Sequence, residues 1–182
     1  MKLISKLFLL FLIIISFAIV LIKIIKTIRY SKEIESSCRF KKSKKTLTNT
    51  YPFSKSNKIE LLAYSSREDA LSNYNLIKDG KFMVGKIQQS TILDKSQTDS
   101  LFSILVNWPP KEKDYFNTQA DCYDPHHCIV FYQDEIAIAF IEICFECNGI
   151  KESQGINFGE FCDEKWMLIK KFLIQNKINY AT

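Results

Sequence analysis

The sequence predicts an α+β fold: a mostly antiparallel sheet with a C-terminal hairpin and about three helices, plus one N-terminal transmembrane helix. Three observations carry that expectation. Leu7 to Ile22 is an apolar run broken only by Ser16. Ile129–Tyr132 and Ile136–Cys144 are apolar runs separated by Gln133, Asp134 and Glu135, the pattern of a β-hairpin. Two capping-box patterns, Ser65 with Glu68 and Asp94 with Gln97, precede apolar residues at helical spacing.

A chain of 182 residues is long enough for one domain with a short appendage. Five Gly, four Pro and 13% aromatic residues exclude collagen-like, disordered and low-complexity classes over most of its length. The formal net charge of +5 conceals a division. Residues 1–45 hold 11 Lys and Arg against 2 Asp and Glu, whereas the remainder holds 14 against 18. A mildly acidic folded part lacks the basic face that nucleic-acid binding needs, so no nucleic-acid partner is expected.

The apolar run of 16 residues spans about 24 Å as a helix, against a hydrocarbon core of about 30 Å. Snorkelling by Lys6 and Lys23 lets the core extend over 7–25. Lys23, Ile24, Ile25, Lys26 and Thr27 follow it, bulky and charged where a cleaved signal needs small residues. Residues 1–30 therefore read as an uncleaved, signal-like anchor in a lipid bilayer, which makes the chain a single-pass membrane protein. Its sidedness is contested by two signals. Lysines and arginines after the run point to a cytoplasmic domain, while the short two-lysine start and the cysteine content favour an extracytoplasmic one. The balance tips to export.

Residues 31–56 are rich in Lys and Ser and read as a solvated linker. Its Lys41, Lys42, Lys44 and Lys45 are placed for contact with anionic lipid headgroups, each cation contributing about 1 kcal/mol near such a surface. The globular α+β domain is expected over 57–182. Lys58 to Tyr64 reads as a strand. The Ser65 box opens a helix carrying Ala70, Leu71, Tyr74 and Ile77, closed by Gly80. Phe82 to Gln88 alternates as a second strand, and the Asp94 box starts a helix through Leu101, Ile104 and Leu105 that Trp108-Pro109-Pro110 ends. Residues 111–121 read as loop. The segment IAIAFIEIC is nearly continuous in apolar residues and reads as a central strand, with Glu142 pointing outward. Residues 148–159, with three Gly, read as loop. Phe161, Trp166, Ile169, Phe172 and Leu173 mark a closing amphipathic helix.

Cysteine is the one pointed feature. Cys38 lies in the linker, and Cys122, Cys128, Cys144, Cys147 and Cys162 fall within 41 residues. Disulfides suit an oxidising side, and the hairpin makes Cys128–Cys144 or Cys122–Cys147 reasonable bridges, although spacing alone does not choose the connectivity. Zinc is a second reading. Cys144 and Cys147 have knuckle spacing, and Cys122, Cys128 and His126 or His127 are available as further ligands. A redox dithiol is a third, but no helix pattern follows the pair to lower a thiol pKa. There is no glycine-rich phosphate loop, His-Glu-x-x-His or Gly-x-Ser-x-Gly. Cys122 or Cys128 with His126 or His127 would be a nucleophile pair, without an oxyanion site to announce it. Asp121, Asp124, Asp134 and Glu135 match no calcium loop.

The pieces CYDPHH running into an apolar strand, IEICFECNGI, and Cys162 followed by Trp166 and an apolar helix resemble a family of small bacterial proteins that are exported or membrane-anchored. The resemblance covers about half the chain, from roughly residue 90 onward. That family has no established activity, so the likeness implies location. In its usual pattern Arg often stands at the position of His126 and a small residue at that of Cys128. The resemblance thus favours Cys122, Cys144, Cys147 and Cys162 as the working set. The expected function is a structural or binding module stapled by cysteines, not an enzyme and without a cofactor. The alternative is a zinc-stabilised module or a thiol-dependent enzyme using Cys144 and Cys147.

Overall fold

The computed structural model describes residues 15–23, 37–67, 70, 75–112 and 123–182. The chain divides into two units, Met1–Ser36 and Ser37–Thr182. In the first, residues 15–23 form a helix, α1, whose side chains are all exposed, Phe17 by 70%. Among the described residues no helix is long and apolar enough to cross a membrane. The expected span over 7–25 lies only in part within them, since 7–14, 24 and 25 are outside the described residues.

The second unit is built on five antiparallel strands. In chain order these are β1 (Lys58–Tyr64), β4 (Ile87–Ile92), β5 (His127–Gln133), β6 (Ile136–Cys144) and β7 (Gly149–Glu152), with β2 (Ile77–Lys78) and β3 (Lys81–Phe82) forming a separate small hairpin. The spatial order of the sheet is β4-β1-β5-β6-β7. Two helices, α2 (Lys95–Asn107) and α3 (Asp163–Gln175), contact each other and share one core with one sheet face. The mostly antiparallel α+β architecture and the C-terminal hairpin agree with the expectation.

Both faces of the sheet are covered. On one, Leu61, Ala63, Ile129, Phe131, Ala139, Ile141 and Ile143 meet Leu101 and Leu105 of α2 and Trp166, Ile169, Phe172 and Leu173 of α3. On the other, Leu62, Tyr64, Cys128, Val130 and Phe140 pack with Leu76, while Phe82 of the small hairpin sets its ring 6.2 Å from that of Phe140. This explains the nearly continuous apolar texture of β5 and β6: a strand with both sides covered has no polar alternation to show.

The Asp94 capping box forms as its spacing predicts. The Asp94 carboxylate accepts from the Gln97 backbone N–H at 2.8 Å, and the Gln97 side-chain oxygen accepts from the Asp94 N–H at 2.7 Å. The β5–β6 turn places Asp134 and Glu135 at φ 48° and 66°. Two positive φ values suit the right-handed twist of a tight hairpin, and Asn57 braces the bend by donating to Asp134 Oδ1 at 2.8 Å.

Several expectations fail, each for a local reason. The helix expected from Ser65 to Gly80 does not reach its end: Ala70 lies in a turn and Ile77 in β2, while 68, 69 and 71–74 are outside the described residues. Asp79-Gly80, read as a helix stop, is instead the two-residue turn of the β2–β3 hairpin, with φ 50° and 72°. The strand expected over Phe82 to Gln88 is broken, because β3 ends at Phe82 and β4 begins only at Ile87. The loop expected over 148–159 contains β7, which pairs Glu142 with Lys151 and Cys144 with Gly149.

The linker expectation for 31–56 is also corrected from Ser37 onward. Cys38 and Phe53 are buried, and Tyr51 donates its hydroxyl to the Ile138 carbonyl at 2.9 Å. The Phe53 ring lies 5.1 Å from those of both Phe102 and Phe131. The arm is anchored because it carries aromatic residues that the core needs, while Lys41, Lys42, Lys44 and Lys45 remain exposed on it. Phe53→Ala should therefore cost about 3–5 kcal/mol in a chemical-denaturation midpoint. A residue in a solvated linker would change it by less than about 0.5 kcal/mol.

Candidate functional site

The cysteines fall into an arrangement that spacing did not give. Cys38 is bonded to Cys162 and Cys144 to Cys147, each pair with Cα atoms 5.5 Å apart. Cys128 is a free, buried thiol, and Cys122 lies outside the described residues. Neither Cys128–Cys144 nor Cys122–Cys147 forms, since Cys144 and Cys147 are bonded to each other. Register supplies the reason: Cys128 stands opposite Glu142, and Cys144 lies two residues further along β6. The working set of Cys122, Cys144, Cys147 and Cys162 also omits Cys38, the residue that Cys162 in fact joins. His126 sets Nδ1 3.1 Å from the Tyr64 carbonyl and Nε2 3.6 Å from Asp124 Oδ2. Among the described residues no group of three or more His, Cys, Asp or Glu is placed to hold a metal ion.

The two bridges are unequal in what they contribute. Cys38 and Cys162 are 124 residues apart in sequence, Cys144 and Cys147 only 3. In the chain-entropy account the long loop contributes about 5 kcal/mol and the short ring about 2 kcal/mol. The long bridge fastens the start of the folded unit to the N-terminus of α3, beside a short ladder in which Arg39 N–H donates to the Pro109 carbonyl and Lys41 N–H to that of Asn107. The short ring spans a bend that the β6–β7 ladder already fixes.

Beneath that ring lies the most unusual side chain of the domain. Glu142, expected to point to solvent, is fully buried. It does face away from the helices, but that face is covered. Burying an unpaired carboxylate is prohibitive, and four donors compensate here. Arg67 Nε donates to Oε1 at 3.0 Å and Arg67 Nη2 to Oε2 at 3.2 Å. The hydroxyl of Tyr64 donates to Oε1 at 2.7 Å, and that of Tyr123 to Oε2 at 3.2 Å. Burial first, then the neighbouring negative charge, pushes both phenols far above their ordinary pKa, so they stay neutral donors. The Cys128 thiol is pushed well up in the same way, by burial and then by Glu142.

The same cluster reaches the disulfide. Ala70, Tyr123, Cys144 and Cys147 pack together as one small buried group. Lys151 holds its ammonium 4.3 Å from the centre of the Tyr123 ring and donates to the Ala70 carbonyl. Within the ring, the backbone N–H of Cys147 donates to Cys144 Sγ at 3.3 Å. Sequence reasoning missed Arg67, Tyr64 and Tyr123 as partners of Glu142, although one signal was present. Arg67 is the only arginine beyond residue 39, and Glu142 is the only acid inside the longest apolar strand.

Two further polar groups are buried against the helices. His127 donates from Nε2 to the Tyr180 carbonyl at 2.7 Å, which assigns its tautomer, and its Nδ1 is buried without a partner among the described residues. Burial lowers its pKa to about 4. Lys165 donates to the Phe158 carbonyl at 2.9 Å and stands over the Phe161 ring, and burial lowers its pKa to about 8. Burial raises the carboxyl of its neighbour Glu152.

Removing one partner of a buried ion pair strands the other. Arg67→Ala should cost about 3–5 kcal/mol. Arg67→Met combined with Glu142→Leu should recover only part of it, since the buried hydroxyls of Tyr64 and Tyr123 then lose their acceptor, as denaturant midpoints would show. For His127, the unfolded imidazole takes a proton near pH 6.5 and the folded one only near pH 4. The unfolded state therefore binds more protons in between, and stability is full above about pH 6.5 and lost as pH falls. The loss amounts to about 3 kcal/mol by pH 4. Glu152, with a raised pKa, contributes with the opposite sign. The comparison is thus between the melting-temperature profiles of the natural chain and of His127→Gln, and the variant should lack the decline attributed to the imidazole.

No protein-family model, curated protein or solved structure matches this chain, so the reading of its function rests on these side chains and on the apolar amino-terminal run.

Proposed function

We propose that this chain is a membrane-tethered binding or structural module that works on the extracytoplasmic, oxidising side of a bilayer. The single observation that carries this reading is the Cys38–Cys162 bridge, which fastens the beginning of the folded unit to its last helix. Such long-range structural disulfides persist where the surroundings are oxidising. The apolar run over 7–25 is the tether. Lys41, Lys42, Lys44 and Lys45, exposed on an arm pinned to the domain, contact anionic headgroups as the surface is approached.

Sidedness decides the matter. The full chain is expressed in intact bacterial cells, which are then treated with protease or with a membrane-impermeant thiol reagent. The domain should be digested from outside, should sediment with membranes, and should become soluble when residues 1–30 are deleted. Peptide mapping without reductant should recover Cys38 joined to Cys162. A domain protected in intact cells, with Cys38 and Cys162 alkylated as free thiols, would overturn the proposal.

A further inference from the structure

We propose that the Cys144–Cys147 ring is a redox site, opened by a dithiol reductant and closed again by the reverse exchange with a disulfide, which is reduced to the dithiol, with access governed by Tyr123. This goes beyond the tethered module and stands whether or not the chain is anchored.

Four observations support it. The ring is structurally redundant, because the pairs Glu142–Lys151, Ile143–Ile150 and Cys144–Gly149 already hold the hairpin it spans. Opening it therefore leaves the fold in place, whereas the long bridge joins segments 124 residues apart in sequence. The ring is also electronically prepared. The Cys147 N–H points at Cys144 Sγ, so a negative charge on that sulfur meets a donor already in position. The ring is sealed, with Cys144 and Cys147 only 2% and 1% exposed and clustered with Tyr123 and Ala70. Finally, the seal is latched by polar side-chain contacts: Tyr123 to Glu142, Lys151 across the Tyr123 ring and to the Ala70 carbonyl, and Ser66 to Asp124 at 3.1 Å. Contacts of this kind open and reclose without dismantling a strand.

The exchange balances without any further reagent. One thiolate of the dithiol attacks Cys147 Sγ, the Cys144–Cys147 bond breaks, and its electron pair goes to Cys144 Sγ under the Cys147 N–H. The second thiolate of the reductant attacks its own sulfur in the mixed disulfide and releases Cys147. Two protons from the dithiol end on the two cysteines, and the reductant leaves as a cyclic disulfide. Cys128, on the same sheet face opposite Glu142, does not compete, because its buried environment keeps it protonated.

The test uses the full chain in detergent, mixed with reduced and oxidised dithiothreitol and sampled over time until equilibrium. Samples are quenched with acid, alkylated and mapped by mass spectrometry, and circular dichroism is followed in parallel. Cys144–Cys147 should open while Cys38–Cys162 stays closed and the spectrum is unchanged. Tyr123→Ala should speed that opening at least tenfold, and Tyr123→Phe, which keeps the ring but not the bond to Glu142, by an intermediate factor. Tyr123→Phe alone carries the comparison if Tyr123→Ala does not fold. Opening of both bridges together, only as the spectrum is lost, would overturn the redox site. Selective opening at an unaltered rate in the Tyr123 variants would overturn the gate. Neither result bears on the tether, which the sidedness experiment tests separately.

Discussion

A carboxylate at the centre of a sheet with both faces covered has to be neutralised by the protein itself, and the meeting of Glu142 with its four donors is the constraint on which one side of this domain depends. Water is excluded, so each oxygen must find its donors in the chain. They come from three places: Tyr64 at the end of β1, Arg67 just beyond it, and Tyr123 ahead of β5. One buried anion thereby ties the end of β1, the residues just beyond it and the residue ahead of β5 to one point of β6. The face covered by α2 and α3 is held by apolar area. The opposite face has a smaller apolar cluster and adds charge.

The two disulfides divide their work along the same line. Cys38–Cys162 belongs to the helical side, where it joins the ordered arm to the first turn of α3, itself begun by Asp163 and Glu164 in keeping with the helix dipole. Its large loop makes it the stabilising bridge. Cys144–Cys147 belongs to the polar side, two residues from Glu142 on the same strand face, and its small ring constrains little that the β-ladder does not already constrain. A single domain thus carries one bridge suited to permanence and another suited to chemistry.

Much of the architecture was legible wherever a local signal had no competitor. The Asp94–Gln97 box, the Pro109-Pro110 stop, the β5–β6 hairpin and the stripe of Trp166, Ile169, Phe172 and Leu173 all reappear at their expected positions. Misreadings arose where two signals overlapped. Asp79-Gly80 fits both a helix stop and a hairpin turn, and the tie is broken by packing of the small hairpin on β6, which no local pattern reports. Cys38 read as linker because its flanks are lysines and serines, and only the fold brings it to Cys162. Glu142 read as a solvated residue because alternation tells which side of a strand a residue faces but not whether that side is covered. The lone arginine beyond residue 39 was the available hint.

Cys128 is a free thiol on the sheet face that also carries the Cys144–Cys147 ring, and its surroundings limit exchange between the two. The thiol is enclosed with Leu62, Tyr64, Val130 and Phe140, while the adjacent Glu142 opposes a second negative charge. Thiolate is the attacking species, so a group held as thiol is kinetically inert even near a reactive bridge. Glu142 therefore has two consequences along one strand face. Through Tyr123 it holds the cover over Cys144 and Cys147, and its charge adds to the burial that raises the Cys128 thiol. Exchange at the ring with a partner from outside then requires the Tyr123 cover and the contacts that latch it to give way.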